Sequence, residues 1–141
     1  MSLVVVSGLS GAGKSVAMHA LEDIGFFCVD NLPASLLDAF LANADVANRR
    51  IAVSLDARNP EEALKAIPPK LSEIRAQGLL EKVLFLETVD DVLLKRFSET
   101  RRKHPLTSDD TTLAEAIAHE REVLLGIRDQ ADSIIDTTLI N

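Results

Sequence analysis

The sequence predicts an α/β domain built on a five-stranded parallel sheet. Two observations predict it. Five short apolar runs, Leu3–Ser7, Phe26–Asp30, Ile51–Asp56, Lys82–Glu87 and Ser133–Asp136, alternate with five helical patterns. The runs are continuously apolar, as strands buried on both faces are. The first run also leads straight into a glycine-rich turn that opens a helix. At 141 residues the chain has room for one domain with its own core and too little for two ordinary ones.

Taken in order, the first run is followed by Val16, Ala17, Ala20, Leu21 and Ile24, spaced to share one helical face. Asn31-Leu32-Pro33 reads as a helix start, with Asn at or near the cap and Pro in the first turn. Leu36, Leu37, Phe40, Leu41 and Ala44 supply the apolar face of that second helix. Asn59-Pro60 opens a third helical segment, which Pro68-Pro69 breaks in two. Leu93, Leu94 and Phe97 mark the fourth helix, and Leu113, Ala116, Ile117, Leu124 and Ile127 the fifth. Strand and helix alternating throughout, with right-handed crossovers, put helices on both faces of the sheet in three layers. Ligands of such sheets bind beyond the carboxyl ends of the strands. Gly8, Asp30 and Asp56 follow the first three strands there. The polar stretch His104–Asp110 lies between two helices, where a loop over the site would lie. The chain stops at Asn141 directly after the fifth strand, where a doubly wound domain usually adds one more helix. The expectation is therefore a single domain over 1–141 that is a piece of a longer protein.

Gly8-Leu9-Ser10-Gly11-Ala12-Gly13-Lys14-Ser15 satisfies G-x-x-x-x-G-K-[ST] at every fixed position. An apolar strand precedes it and an amphipathic helix follows. Glycines let the backbone approach a phosphate closely, and successive N–H groups can point inward to cradle it. The helix N-terminus adds partial positive charge. Lys14 would reach the β- and γ-phosphates and the Ser15 hydroxyl would ligate magnesium. A glycine turn that serves packing alone has no need for Lys followed by Ser. The fold expected is that of a P-loop NTPase, a kinase-like three-layer sandwich, with ATP or GTP as ligand and Mg2+ as cofactor.

Two carboxylates compete for the metal. Asp56 ends an apolar strand, the Walker B pattern. Asp30 ends another. In kinase-like P-loop folds the third strand neighbours the first, so Asp56 is preferred for the metal. Asp30 then faces an acceptor, orienting a water or hydroxyl or acting as base. Helix capping is the plainer role for either, since both precede a helix start. Arg58, two residues beyond Asp56, is well placed to reach a nucleotide. A basic cluster, Lys95, Arg96, Arg101, Arg102 and Lys103, falls late in the fourth helix. Lid arginines of P-loop kinases occupy such places and neutralise the transferring phosphate, which makes Arg96 a catalytic candidate beside Lys14 and Asp30. A solvated basic helix end, favourable to the helix dipole, accounts for the cluster equally well. Arg102 lies six residues past Arg96, so the two do not share one clean face.

Other classes are excluded or left aside. Net charge is −7, against a general nucleic-acid footprint. No apolar run is long enough to span a membrane, and the N-terminus lacks the pattern of a signal peptide. Cys28 is the only cysteine and reads as a small buried hydrophobe. His19, His104 and His119 lack metal-ligand spacing with it; surface or capping roles cover all three. There is no N-K-x-D motif to read guanine, so base preference is not legible.

Several stretches resemble the bacterial RapZ/YvcJ nucleotide-binding proteins: Gly8–Ser15, Leu21-Glu22-Asp23-Ile24-Gly25-Phe26-Phe27-Cys28-Val29-Asp30-Asn31-Leu32-Pro33, Asp56-Ala57-Arg58-Asn59, Leu84-Phe85-Leu86-Glu87 and Arg96 to Leu106. The resemblance runs over most of the chain, and the second and last stretches are far more specific than a P-loop alone. It implies binding and weak hydrolysis of ATP and GTP, with an ATP site at Gly8–Ser15 and a GTP-associated segment at Asp56, Ala57, Arg58 and Asn59. It implies a cytoplasmic protein that self-associates. Some members are adaptors that bind a small RNA and deliver it to an RNase, controlling amino-sugar synthesis. The resemblance assigns that work mainly to a C-terminal domain that this chain lacks, so RNA and RNase contacts are not expected here. Two other readings stand beside a slowly hydrolysing regulatory domain: a small-molecule kinase, and a binding module that senses nucleotide without turnover.

Overall fold

The computed structural model describes residues 2–43, 49–100, 103–108 and 110–139, without the side chain of Thr100. The expected Ala44 of the second helix, and Arg101 and Arg102 of the basic cluster, lie outside the described residues.

Strands β1 (Ser2–Gly8), β2 (Phe27–Val29), β3 (Arg50–Ser54), β4 (Leu80–Glu87) and β5 (Ser133–Asp136) form one sheet in the order β2-β3-β1-β4-β5. All four pairings are parallel. The first strand is thus central, flanked by β3 and β4, as the preference for Asp56 assumed. Side chains alternate across the pleat. Leu3 and Val5 of β1 join one core with Ile51, Val53, Val83 and Phe85. Val4 and Val6 join the other with Ala52 and Leu86.

Helices cover both faces, which gives the three layers. Helix α1 (Lys14–Asp23) lies on the Val4 face through Met18, with α5 (Asp90–Thr100) through Leu93 and α6 (Leu113–Val123) through Ile117. The Leu3 face receives α2 (Leu37–Leu41), α3 (Glu61–Lys65), α4 (Ile67–Ala76) and α7 (Leu125–Asp129), through Leu37, Leu64, Leu71 and Ile127. A short 3-10 turn, Ala34–Leu36, precedes α2.

Four local expectations need correction. The buried stripe of α1 is Met18 with Ala17 and Leu21, while Val16 and Ile24 are 73% and 66% exposed. A thioether is flexible enough to fill the gap under the sheet, and that rotates the helix away from the stripe the pattern suggested. The fifth helical pattern divides at Leu124: α6 packs on one face, and α7 carries Ile127 to the other. Neither asparagine caps its own helix. Pro33 holds the cap of the 3-10 turn, Leu36 that of α2 and Pro60 that of α3, and the Asn59 carboxamide instead accepts the Ala34 N–H of the neighbouring turn at 2.7 Å. At the sheet edge β5 leaves Ile134 and Ile135 part-exposed, so this run is not buried on both faces. The break at Pro68-Pro69 is as expected, since α4 begins with both prolines in its first turn, where their missing N–H groups cost nothing.

Candidate functional site

The loop Gly8–Ser15 joins β1 to α1 at the carboxyl end of the central strand. Its glycines are required by geometry. A Cβ on Gly8 would stand 2.3 Å from the Leu86 carbonyl oxygen of the adjacent strand, which is backbone and cannot yield. Gly13 takes φ +100° as the N-cap of α1, a conformation other residues adopt only under strain. The first-turn N–H groups of α1 have no carbonyl partners within the helix, as at any helix start. Lys14 curls back over it, donating from Nζ to the carbonyls of Gly8 at 2.8 Å and Leu9 at 3.1 Å.

Burial pushes the Lys14 ammonium below its ordinary pKa, and Glu120, Asp56 and Asp30 pull it back up while Arg58 opposes them. This electrostatic neighbourhood is the structure's own grouping: the loop lysine, the two carboxylates that follow β2 and β3, and a glutamate from α6.

Asp56 is buried and enclosed by its own neighbour. Arg58 donates its backbone N–H and its guanidinium to the carboxylate, at 2.9 Å from N and 3.0 Å from Nε to Oδ1. Burial raises the Asp56 carboxyl, but the hydrogen bonds from Arg58 and the charges of Lys14 and Arg58 outweigh it and hold the pKa below the ordinary value. Ala57 is buried, and the Asn59 amide group donates to the Asp56 carbonyl at 3.3 Å. Asp30 is exposed. The buried Ser54 hydroxyl at the end of β3 donates to it and accepts the Asn31 N–H. Asn31, at φ +55°, turns the chain there.

The remaining loop groups are held from behind. Arg96 of α5 donates to the Gly11 carbonyl at 3.0 Å and to the Thr137 carbonyl at 2.7 Å. The Thr137 hydroxyl donates to the Ala12 carbonyl at 2.8 Å. Ser10 donates its N–H and its hydroxyl to Glu120 of α6, at 2.8 and 2.6 Å. His104 is buried against that same carboxylate, not on the surface or at a cap as the sequence reading had it. Ser15 is exposed at the start of α1.

Sequence reasoning missed Glu120 and His104. A signal was available for the first. Ala116, Ile117 and Leu124 define the buried stripe of the fifth helical pattern, and a charged residue at 120 falls on it. Thr112 caps α6 through the Glu115 N–H, which fixes the register of that stripe. His104 carries no such signal, because the segment around it is polar and aperiodic. Cys28 is half-buried, its thiol near the Met18 carbonyl, and burial pushes the thiol up.

The Ser15 hydroxyl and the Asp56 carboxylate are oxygen ligands of the kind a magnesium ion would take, and the loop N–H groups are donors of the kind a phosphate would take. Among the described residues no group of three or more His, Cys, Asp or Glu gathers as a metal centre. No helix among the described residues is long and apolar enough to cross a membrane.

Known proteins agree with this architecture. A shikimate kinase from Bacteroides thetaiotaomicron superposes with a TM-score of 0.60 at 17% identity, over 96% of this chain and 86% of that one. A sugar kinase from Janibacter sp. HTCC2649 gives a TM-score of 0.50 at 16% identity, over 96% and 85%. At that identity they establish the kinase-like P-loop fold. Closer in sequence, a nucleotide-binding protein of Stutzerimonas stutzeri (strain A1501) is 50% identical over 145 residues, all of this chain and 51% of the relative. A nucleotide-binding protein of Pseudomonas putida (strain GB-1) is 51% identical over the same span. One of Halorhodospira halophila is 50% identical over 98% of this chain and 50% of the relative. The chain spans about half the length of the curated relatives it matches. The description of the RapZ-like N-terminal domain matches residues 1–141, and the chain belongs to that family.

Proposed function

We propose that this domain binds ATP or GTP with Mg2+ at Gly8, Leu9, Ser10, Gly11, Ala12, Gly13, Lys14 and Ser15, and hydrolyses the nucleotide slowly in a regulatory role. The observation that carries this is Lys14, half-buried and folded over loop carbonyls of a glycine cradle. A triphosphate is a better partner for that ammonium than carbonyl dipoles are. Lys14 would turn from the Gly8 and Leu9 carbonyls to the phosphates, and the first-turn amides of α1 would share their charge. Ser15 and Asp56 are the residues that would hold the metal, which when bound neutralises charge on the β- and γ-phosphates. Asp56 can serve only if Arg58 yields at least one carboxylate oxygen, which frees the guanidinium to meet phosphate. Ala57 and Asn59 complete the nucleotide-side segment by fixing the backbone of that turn.

Asp30 is the group to orient a water or take its proton, steadied by Ser54. Arg96 supports catalysis by holding the Gly11 carbonyl. The domain is read as the nucleotide-reading half of a cytoplasmic, self-associating two-domain protein. Its length relative to the relatives and its acidic charge support this. Contacts with RNA or an RNase belong to the other half.

A small-molecule kinase is the second reading, favoured by Asp30 standing exposed beside the lysine neighbourhood. Phosphate release from Mg·ATP and Mg·GTP, with and without a metabolite panel, separates the two. Slow release without an acceptor supports the regulatory reading. No release, together with a phosphorylated metabolite, overturns it.

A further inference from the structure

The Glu120 carboxylate is fully buried, yet no Lys or Arg nitrogen pairs with it directly among the described residues. Three donors satisfy it. Oε1 accepts the Ser10 N–H at 2.8 Å, Oε2 accepts the Ser10 hydroxyl at 2.6 Å, and His104 Nε2 reaches Oε1 at 3.1 Å. The Leu106 N–H donates to His104 Nδ1 at 3.0 Å, so Nδ1 is the acceptor and Nε2 carries the proton given to Glu120. Burial drives the Glu120 carboxyl up, and the bonds from His104 and Ser10 outweigh it, leaving the group ionised with its pKa below the ordinary value. Isolating a charge in this way is costly, so the geometry must satisfy it fully.

The contacts join two regions that matter to a phosphate. Ser10 is the third residue of the loop, and its amide is turned toward Glu120 and not toward the cradle. His104 belongs to the segment after α5, and its ring packs on Phe97 with centroids 5.2 Å apart. Phe97 in turn closes over Gly11, where an added Cβ would meet its ring at 3.2 Å. Ser10, Gly11, Phe97, His104 and Glu120 are thus one packed unit.

We propose that Glu120 is a positioning residue for the phosphate loop. Through Ser10 it fixes the first half of the loop in the shape that leaves the later amides for an anion. Through His104 it ties that shape to the segment after α5. The proposal rests on the nucleotide reading above. The coupling is reciprocal: filling the loop steadies His104, and loosening His104 weakens the hold on nucleotide. Glutamine in place of Glu120 keeps the volume but removes the charge: its carbonyl can still accept from the Ser10 N–H and His104, while its NH2 forces the Ser10 hydroxyl to turn and accept, so every bond to the loop loses its ionic partner.

The test is calorimetry of Mg·ATP with the whole chain and with Glu120→Gln, Ser10→Ala and the double variant, each also melted. Loss of a charge-assisted hydrogen bond predicts about tenfold weaker binding for Glu120→Gln and severalfold for Ser10→Ala. The double variant should lose less than the sum of the two, because both act on the same hydroxyl–carboxylate contact. Amide exchange at Ser10 should quicken in Glu120→Gln. Unchanged affinity in Glu120→Gln, whatever its melting temperature, overturns the proposal, and so do additive losses. Should Glu120→Gln fail to fold, Ser10→Ala decides: wild-type affinity in it overturns the proposal. If the unaltered chain takes no Mg·ATP, the nucleotide reading itself fails; if it binds and the variants bind equally, only the role of Glu120 falls.

Discussion

Asp56 and Glu120 are two buried carboxylates that both act on Lys14, and both are held ionised below their ordinary pKa. They reach that state by opposite routes. Asp56 is served by Arg58, two residues away, through a tight turn. Glu120 is served by Ser10, 110 residues away, and by His104 from a third region. A local pair opens by moving one half-exposed arginine. A three-way junction opens only if the loop, α6 and the segment after α5 shift together. The difference suggests a division of labour: Asp56 can change partners when a ligand arrives, whereas Glu120 keeps the loop in place.

The largest expected effect breaks the second junction. Glu120→Ala leaves the Ser10 amide and the His104 nitrogen unsatisfied in the core and opens a cavity. Denaturant unfolding should show a loss of about 3–4 kcal/mol. Arg58→Ala strands the buried Asp56 carboxylate. Because the Arg58 side chain is 51% exposed, water can enter, and the same measurement should show only about 1–2 kcal/mol. Equal losses in the two variants would remove the contrast.

The acid limb of stability gives the smallest effect and sharpens the comparison. Glu120 has a folded pKa below its ordinary 4.5, so the folded state binds fewer protons than the unfolded chain. Its contribution is fully present above that value and disappears as pH falls through the lowered one. Asp132 is lowered in the same sense, from 3.8, chiefly by Arg75, but it is a third exposed. Melting between neutral pH and the acid range should therefore flatten clearly in Glu120→Gln and only slightly in Asp132→Asn. An equal flattening in both would mean that burial does not set the size of the effect.

This contrast also marks what the sequence could reveal. The glycine loop, the lysine after it and Asp56 were legible because each is fixed by neighbours within a few residues. The place of the third strand beside the first followed from the kinase-like P-loop fold, while the rest of the strand order did not. Glu120 was half legible, as a charge on an apolar stripe that went unread. Its partner His104 was not, because a polar aperiodic segment gives no sign of turning inward. Met18 was overlooked for a similar reason: the choice between two adjacent stripes on α1 is made by packing, and Val16 and Ile24 fit the pattern as well as the residues that are buried.

The central claim is that the Gly8–Ser15 loop holds a nucleoside triphosphate through Lys14. Calorimetry of Mg·ATP and Mg·GTP against the unaltered chain and Lys14→Ala tests it most directly. The account predicts saturable binding of at least one nucleotide, weakened about a hundredfold or more in Lys14→Ala while the melting temperature holds. Equal affinity in the two proteins, or no binding by the unaltered chain, would contradict it.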